Sequence, residues 1–543
     1  MLVNKTFKYD FFSLRNTHIQ KWHNEFFWPI PWETTTDITT QLEKEQLRII
    51  NDLGDSFEGD CLLIGRHICL TYARVLNHYL SVLRLQKKGF LIEYSNYLDI
   101  VPSLLNENLN IQLDFRNIEN FNQKKKYACS IKNFLKSLAY NCNLGKYNPF
   151  SHFIHDRCVY AHSFNWTIDR PYTKNLNNWL RIISSEELVD KTSGSIISKF
   201  TKNIFKEVSN SLVSFTKNFF INRFGERLKD FIETAMFECA YNYLVQIAKV
   251  YSSLKRKINK IHPEILITPS PLNAFHRAVC LAVKENGGRV IGFAMGYDIC
   301  TYSYPRRAWG YLAIADDFVV YSPGSIPLFK RSIMTNPPPR RHNINIINEN
   351  SELFIDKWKY WQTKGIPEVI TTVMILELSL IPEWTGYYRT DSMVNYHFYY
   401  SICKVLSDNG YQVIFKRRPK NLNWNGINIF NGIPNVIIEY EPFEKPGIME
   451  KTDAIICQFS LSSTLNWSII SNKTVIYVDA GLEPWYPDVY ELLTRRCRIL
   501  RCWYDERNRQ CFDEDELLEL LKIPPDVPNT EYSEKYLFPN CSR

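Results

Sequence analysis

The sequence predicts an α/β protein: two Rossmann-like domains facing a cleft, the first carrying an extra helical insertion. Three observations lead there. The chain has 543 residues, enough for two large domains. Hydrophobic residues make up 45% and charged residues 22%, so the chain can bury sizeable cores and is not a disordered polymer. In both halves short apolar runs alternate with segments of helical period, the pattern of doubly wound parallel sheets.

Residues 1–55 show no clear period. Cys61–Ile64 reads as a strand, followed by Gly65-Arg66, a helix from Ile68 to Gln86, and a strand over Phe90–Tyr94. The segment from about 100 to 260 is the expected insertion. Its first part is polar, Asn-rich and aromatic. From 195 on, Phe200, Ile204, Val208, Leu212 and Phe215 recur at three- and four-residue spacing, which predicts long amphipathic helices. Lys202, Lys206 and Lys217 on those helices also suit a membrane-facing surface. The alternation then resumes. Ile265–Thr268 is a strand, Ala274–Lys284 a helix stopped by Gly287-Gly288, and Val290–Phe293 and Phe318–Tyr321 are strands.

Thr335–Arg341, with three consecutive prolines, is the best linker signal. The expected division is a first domain over 1–340, a linker over 341–367, a second domain over 368–510 and a tail over 511–543. The second domain begins with strand Val373–Leu378 and helix Met393–Asp408. Strands Val413–Phe415, Val436–Ile438, Ala454–Cys457 and Val475–Val478 follow, and an acidic helix lies near Asp513–Leu521.

Open α/β sheets bind ligands at the carboxyl ends of their strands, so the loops after strands are the candidate sites. Lys416-Arg417-Arg418-Pro419-Lys420 follows one strand directly, and its cations suit a phosphate or diphosphate. Ser460-Leu461-Ser462-Ser463-Thr464 follows another and opens a helix, offering hydroxyls and free N–H groups to the same phosphate. In the first domain, Asp298 and His276 are candidates for taking a proton from an acceptor hydroxyl. Arg277, Gly296, Arg66 and His67 are expected to line the cleft. His152, His155, Cys158 and His162 lie within one short segment; on a helix His155 and His162 would share a face with Cys158 near it, which could hold a metal, although polar packing explains them more simply. Cys497, Cys502 and Cys511 lie close together without a histidine and read as ordinary thiols.

These motifs give the second half a resemblance to the GT-B glycosyltransferases of bacterial surface-polysaccharide assembly. The similar members are the Kdo- and sialic-acid-transferase-like group and the related CDP-glycerol polymerases. The matching order is Lys416-Arg417-Arg418-Pro419, Asp453-Ala454-Ile455-Ile456, Ser462-Ser463-Thr464 and Asn472-Lys473-Thr474-Val475-Ile476-Tyr477. Gly292–Gly296 resembles the family's Q-H-G segment, and Asp316–Ser322 the strand after it. The family's histidines are Arg418 and Met295 here, and Trp467 stands where a carboxylate is usual.

The resemblance covers roughly residues 262–500. It implies a metal-independent transferase that moves a sugar from a nucleotide-activated donor, CMP-linked by the Kdo and sialic-acid analogy, to a capsule, lipopolysaccharide or lipid-linked glycan acceptor. It implies no cofactor besides the donor itself. Two other functions fit the same turns: a CDP-alcohol phosphotransferase, and a non-catalytic, degenerate GT-B module that binds glycan or scaffolds an assembly.

The charge balance of +8 is mild and suits an anionic ligand or an acidic membrane surface better than nucleic acid. No apolar run approaches transmembrane length and the first residues carry no secretory pattern. The expected location is therefore cytoplasmic, at the inner face of a membrane. The chain contains no G-x-x-x-x-G-K-[ST], H-E-x-x-H, G-x-S-x-G or G-x-G-x-x-G, which excludes P-loop, zincin, α/β-hydrolase and dinucleotide fingerprints.

Overall fold

A computed structural model describes residues 5–14, 17–94, 100–111, 113, 132–139, 141–142, 158–162, 179–183, 185–188, 196–269, 274–294, 300–301, 312–320, 322–339, 343–348, 352–377, 392–417, 430–443, 445–458 and 463–538. The chain divides into two compact units. One holds Met1–Gln41, Tyr72–Asn110 and Leu353–Arg543; the other holds Leu42–Thr71 and Ile111–Glu352. The protein is α/β, with parallel sheets in both units.

In the first unit, β1 (Thr6–Lys8) pairs in parallel with β2 (Leu91–Glu93), Phe7 opposite Ile92. The strand expected over Phe90–Tyr94 therefore exists, but it belongs to this two-stranded sheet and not to a large one. The expected strand Cys61–Ile64 is instead the end of helix Phe57–Ile64 in the second unit. A short run such as Cys-Leu-Leu-Ile has no period to choose between helix and strand. The choice is made by Ser56, whose side chain accepts the N–H of Gly59 at 3.0 Å, and by Glu58 and Asp60 in the first turn.

The second unit is built on six parallel strands: β3 (Cys158–His162), β4 (Trp179–Ile183), β5 (Ile265–Pro269), β6 (Arg289–Phe293), β7 (Asp317–Val320) and β8 (Asn345–Asn348). Their order is β4-β3-β5-β6-β7-β8, so the order in which the strands are added reverses between β3 and β5 while all run parallel. Val159, Ala161, Leu180, Ile267, Ile291, Phe293 and Val319 form a buried cluster on it. The expected insertion over 100–260 thus contributes two strands to this sheet. Its long helices, Lys199–Phe224 and Asp230–Ile261, form as their periodicity predicts. Cys158–His162 is a strand and not part of a metal-holding helix; His152 and His155 lie outside the described residues. Helix Ala274–Glu285 ends at Gly287, which takes φ +78, and at Gly288, where a Cβ would sit 2.3 Å from the Pro263 carbonyl oxygen.

The expected linker over 341–367 contains β8 and helix Glu352–Gln362. The proline run follows helix Ile326–Thr335, which it cannot continue, and precedes β8.

The first unit's main sheet has seven strands: β9 (Thr372–Leu376), β10 (Gln412–Lys416), β11 (Val436–Glu439), β12 (Ala454–Cys457), β13 (Thr474–Asp479), β14 (Arg498–Tyr504) and β15 (Gln510–Phe512). The order β11-β10-β9-β12-β13-β14-β15 is a doubly wound arrangement that starts at β9 in the interior of the sheet, and only β15 runs antiparallel, Trp503 opposite Cys511. The expected tail from 511 therefore closes this sheet, followed by helices Glu514–Lys522 and Glu531–Tyr536.

The grouping of residues 1–41 with this unit, against the expected first domain 1–340, has a local cause. Arg507 donates from Nη1 and Nη2 to the carbonyls of Asn24 and Glu25 at 3.3 and 2.9 Å, at the carboxyl end of helix Ile19–Glu25. Trp28 N–H donates to Arg507 O at 2.9 Å, and Asn508 Nδ2 to Trp28 O at 2.7 Å. The His23 ring stacks on His397 of helix Ser392–Asp408 at 4.3 Å between centroids. These contacts join residues hundreds of positions apart, which no local pattern reveals.

Candidate functional site

In the seven-stranded sheet the chain runs outward from β9 through β10 and β11 on one side and through β12, β13 and β14 on the other. The crevice at the carboxyl ends of β9 and β12 is the topological switch point, where doubly wound sheets take their ligands. The two turns singled out by sequence leave this edge: the basic turn follows β10 and the serine turn follows β12.

The basic turn differs from expectation in detail. Lys416 is buried, and its Nζ donates to the carbonyl of Arg417 at 2.5 Å. Its ammonium is turned onto the main chain and does not point outward as a free phosphate ligand. Arg417 is held by its own N–H on Glu439 O at 2.8 Å, beside β11. Its side chain is 6% exposed and meets the fully buried Glu377 carboxylate, with Nε 3.6 Å from Oε1. Glu377 follows β9, and its N–H donates to Lys416 O at 3.0 Å, so the ladder brings the two side chains together. Among the described residues, neither Nε nor Nη2 of Arg417 has a hydrogen-bond acceptor. A buried guanidinium with two unused donor positions is costly unless something accepts from it. The Tyr440 ring lies 6.0 Å from the guanidinium carbon. Burial, with the Glu377 charge next, pushes the Tyr396 hydroxyl well above the ordinary phenol range. Arg418 lies outside the described residues.

Across the switch point stands Gln458, directly after β12. Its Nε2 donates to Asn395 Oδ1 at 3.2 Å and to Gln510 Oε1 at 2.9 Å, and among the described residues its Oε1 has no donor. Asn395 sits in the first turn of helix Ser392–Asp408, so one amide ties β12, β15 and that helix together. Ser463 and Thr464 are half-buried at the start of helix Ser463–Ile469, while Ser460 and Ser462 lie outside the described residues. Trp467 is buried inside that helix. Cys457, at the end of β12, is buried, and its thiol is pushed up to about 12, so it is no nucleophile at neutral pH.

Asp453 of the resembling motif is not at this edge. It precedes β12, and its Oδ2 accepts from Thr371 N, Thr371 Oγ1 and Thr372 N, each at 2.9 Å. It pins the amino end of β9 and so has a structural role.

In the six-stranded sheet the switch point lies between β3 and β5, and helix Ala274–Glu285 follows β5. His276 is half-buried in its first turn. Arg277 was expected to line a cleft; it is 0% exposed and donates from Nε and Nη2 to Leu63 O at 3.0 and 2.7 Å. Burial, then the charge of Arg66, lowers its pKa to about 9. Arg66 and His67 do not follow a strand, because the strand is helix Phe57–Ile64. Arg66 is buried with Nη2 4.0 Å from Glu43 Oε1. His67 is lowered to about 4 by burial and by Arg66 and Arg277. Arg277 and Arg66 thus lie in the interior of their unit, and His67 is half-buried. Asp298 and Gly296, like Met295, lie outside the described residues.

Sequence reasoning missed Glu377, Asn395, Tyr396 and Gln458. Glu377 and Gln458 each stand directly after a strand, so strand-end position was the available signal. Asn395 and Tyr396 needed the packing of their helix. Among the described residues, no group of three or more His, Cys, Asp or Glu is placed to hold a metal ion, and no helix is long and apolar enough to cross a membrane.

No family model matches the chain, and no curated protein matches it. Among solved structures, UDP-N-acetylglucosamine 2-epimerase from Rickettsia bellii overlaps 70% of this chain and 93% of its own, with a TM-score of 0.37 and 11% identity. Such an overlap is too loose to carry fold or activity from one chain to the other.

Proposed function

We propose that the protein is a glycosyltransferase that moves a sugar from a nucleotide-activated donor to a surface-polysaccharide or lipid-linked glycan acceptor. The donor's phosphates would lie at the carboxyl edge of the seven-stranded sheet. The observation that carries this reading is Arg417: a buried guanidinium at a strand end, beside the switch point, whose Nη2 has no hydrogen-bond acceptor among the described residues and whose Nε meets only the Glu377 carboxylate at 3.6 Å. A phosphate offers the two acceptor oxygens that such a fork lacks.

In this reading the acceptor hydroxyl attacks the anomeric carbon. The bond from that carbon to the donor phosphate breaks, and the nucleotide leaves carrying the electron pair. Arg417 stabilises the charge that develops on the leaving phosphate, assisted by Arg418 and the Ser462–Thr464 turn. The hydroxyl proton passes to a general base. Metal is not part of this step. Glu377 keeps Arg417 in place, and among the described residues Nη2 is left without an acceptor.

Thermal unfolding of the protein with CMP, CDP, UDP and GDP in turn tests the reading. A nucleotide at about a hundred times its dissociation constant stabilises the folded state by about 2.7 kcal/mol. One nucleotide is expected to raise the unfolding temperature of the wild type. Arg417→Lys keeps a positive charge beside Glu377 but removes the fork, so it is expected to unfold as the wild type does without ligand and to bind that nucleotide at least tenfold more weakly. Absence of stabilisation by all four, or undiminished binding by Arg417→Lys, would overturn the assignment.

A further inference from the structure

Helix Lys199–Phe224 is held in its unit by one face. Thr201, Phe205, Val208, Ser209, Leu212, Thr216 and Phe220 are buried. Thr201 Oγ1 donates to the buried Glu58 carboxylate at 2.7 Å, and the Ser198 hydroxyl caps the helix by accepting the N–H of Thr201 at 3.0 Å. Phe200, the first member of the apolar series read from the sequence, is not on that face. It is 71% exposed, and Ile196, just before the cap, is 97% exposed. Ile204, one turn beyond Phe200, is half-buried and continues the same stripe.

Beside this stripe lies a second one. Lys199, Lys202 and Lys206 are all exposed and follow three- and four-residue spacing. Residues 196–206 contain no carboxylate. The placement runs against helix electrostatics, because cations at a helix amino terminus oppose the macrodipole. The first turn carries no acidic residue, whereas helices Asp230–Ile261 and Glu514–Lys522 begin with Asp and Glu as the dipole favours. A basic stripe at the positive end of a helix, next to apolar side chains that stay exposed among the described residues, needs a negatively charged and partly apolar counterpart.

We infer that this helix tip docks on an anionic lipid bilayer surface, with Phe200 and Ile196 entering the headgroup boundary and Lys199, Lys202 and Lys206 facing anionic lipid. A soluble anion would neutralise the lysines but leaves Phe200 and Ile196 in water. A bilayer interface takes both, since aromatic and aliphatic side chains enter it while lysines reach the headgroups. The surface is independent of the donor site and stands whether or not the protein is a transferase.

Co-sedimentation of the full chain with vesicles tests it. Binding is expected to vesicles of phosphatidylcholine with phosphatidylglycerol, to weaken as salt is raised, and to be absent with phosphatidylcholine alone. Lys199→Glu/Lys202→Glu/Lys206→Glu is expected to lose about a hundredfold in binding, since each lysine near an anionic surface contributes about a factor of five. Ile196→Ser/Phe200→Ser keeps the charges and is expected to lose at least fivefold. Both variants leave the buried face intact, so neither should unfold below the wild-type temperature. The inference fails if the wild type ignores phosphatidylglycerol vesicles or binds pure phosphatidylcholine equally well. It also fails if the serine variant binds as the wild type does, which would leave a merely electrostatic anion contact.

Discussion

The stacked histidines that anchor the amino-terminal segment make its attachment sensitive to acid. His397 is buried and its pKa falls from 6.5 to about 3, chiefly through burial, then through the neighbouring His23 and Arg509, against smaller upward pulls from the His23 carbonyl and Asp505. His23 is lowered too, mainly by burial, with Arg509 and Lys404 adding to the effect and Asn24 opposing it. When helix Ile19–Glu25 detaches, His397 regains water and its ordinary affinity for a proton. The attached state keeps the ring neutral, so attachment is fully stable above about pH 6.5, weakens as pH falls below that, and levels off near pH 3. Each pH unit inside that window costs about 1.4 kcal/mol per histidine. Between about pH 6.5 and pH 4.5 the His397 contribution is therefore about 2–3 kcal/mol, roughly a hundredfold in the opening equilibrium. Hydrogen exchange of residues 19–28, corrected for intrinsic rates, measures that opening directly. The wild type should lose protection by about that factor relative to His397→Gln, whose side chain does not titrate. Equal pH dependence in the two proteins would refute the argument, because carboxylates elsewhere affect both alike.

Two further outcomes follow from the same packing. Asp453→Ala removes an acceptor of three hydrogen bonds at the start of β9 and should destabilise the first unit by about 1–3 kcal/mol, read by urea unfolding, without changing the affinity for nucleotide. Alkylation of the native protein at neutral pH should label the exposed Cys142 and spare Cys280 and Cys457, whose thiols burial pushes up to about 12; peptide mass mapping reads the pattern.

The second half of the chain was legible strand by strand. Ala454–Cys457 has the bounds read from its apolar run, and β9, β10, β11 and β13 differ from expectation by a residue or two at their ends. Buried parallel strands are short, β-branched and bounded by turn residues, so local composition is enough to find them. The same logic placed the basic and serine turns at the carboxyl edge. It failed at Cys61–Ile64, where four apolar residues carry no period and a serine cap decides for helix. It failed again past Arg498, where a hairpin completes a sheet that the expected tail was to leave open.

Sequence by itself determined the α/β class with parallel sheets, the long helices and the positions of the turns after β10 and β12, because each of these depends on neighbours within one turn or one strand. Tertiary structure decided which charges remain available. Lys416 is turned onto a carbonyl, Arg277 is sealed against Leu63 O, and Arg417 is set beside Glu377 with donors to spare. Three cationic side chains thus end in three different states. The reason is that a guanidinium or ammonium acquires its function from the acceptors and the water around it, and those arrive from parts of the chain far away in sequence.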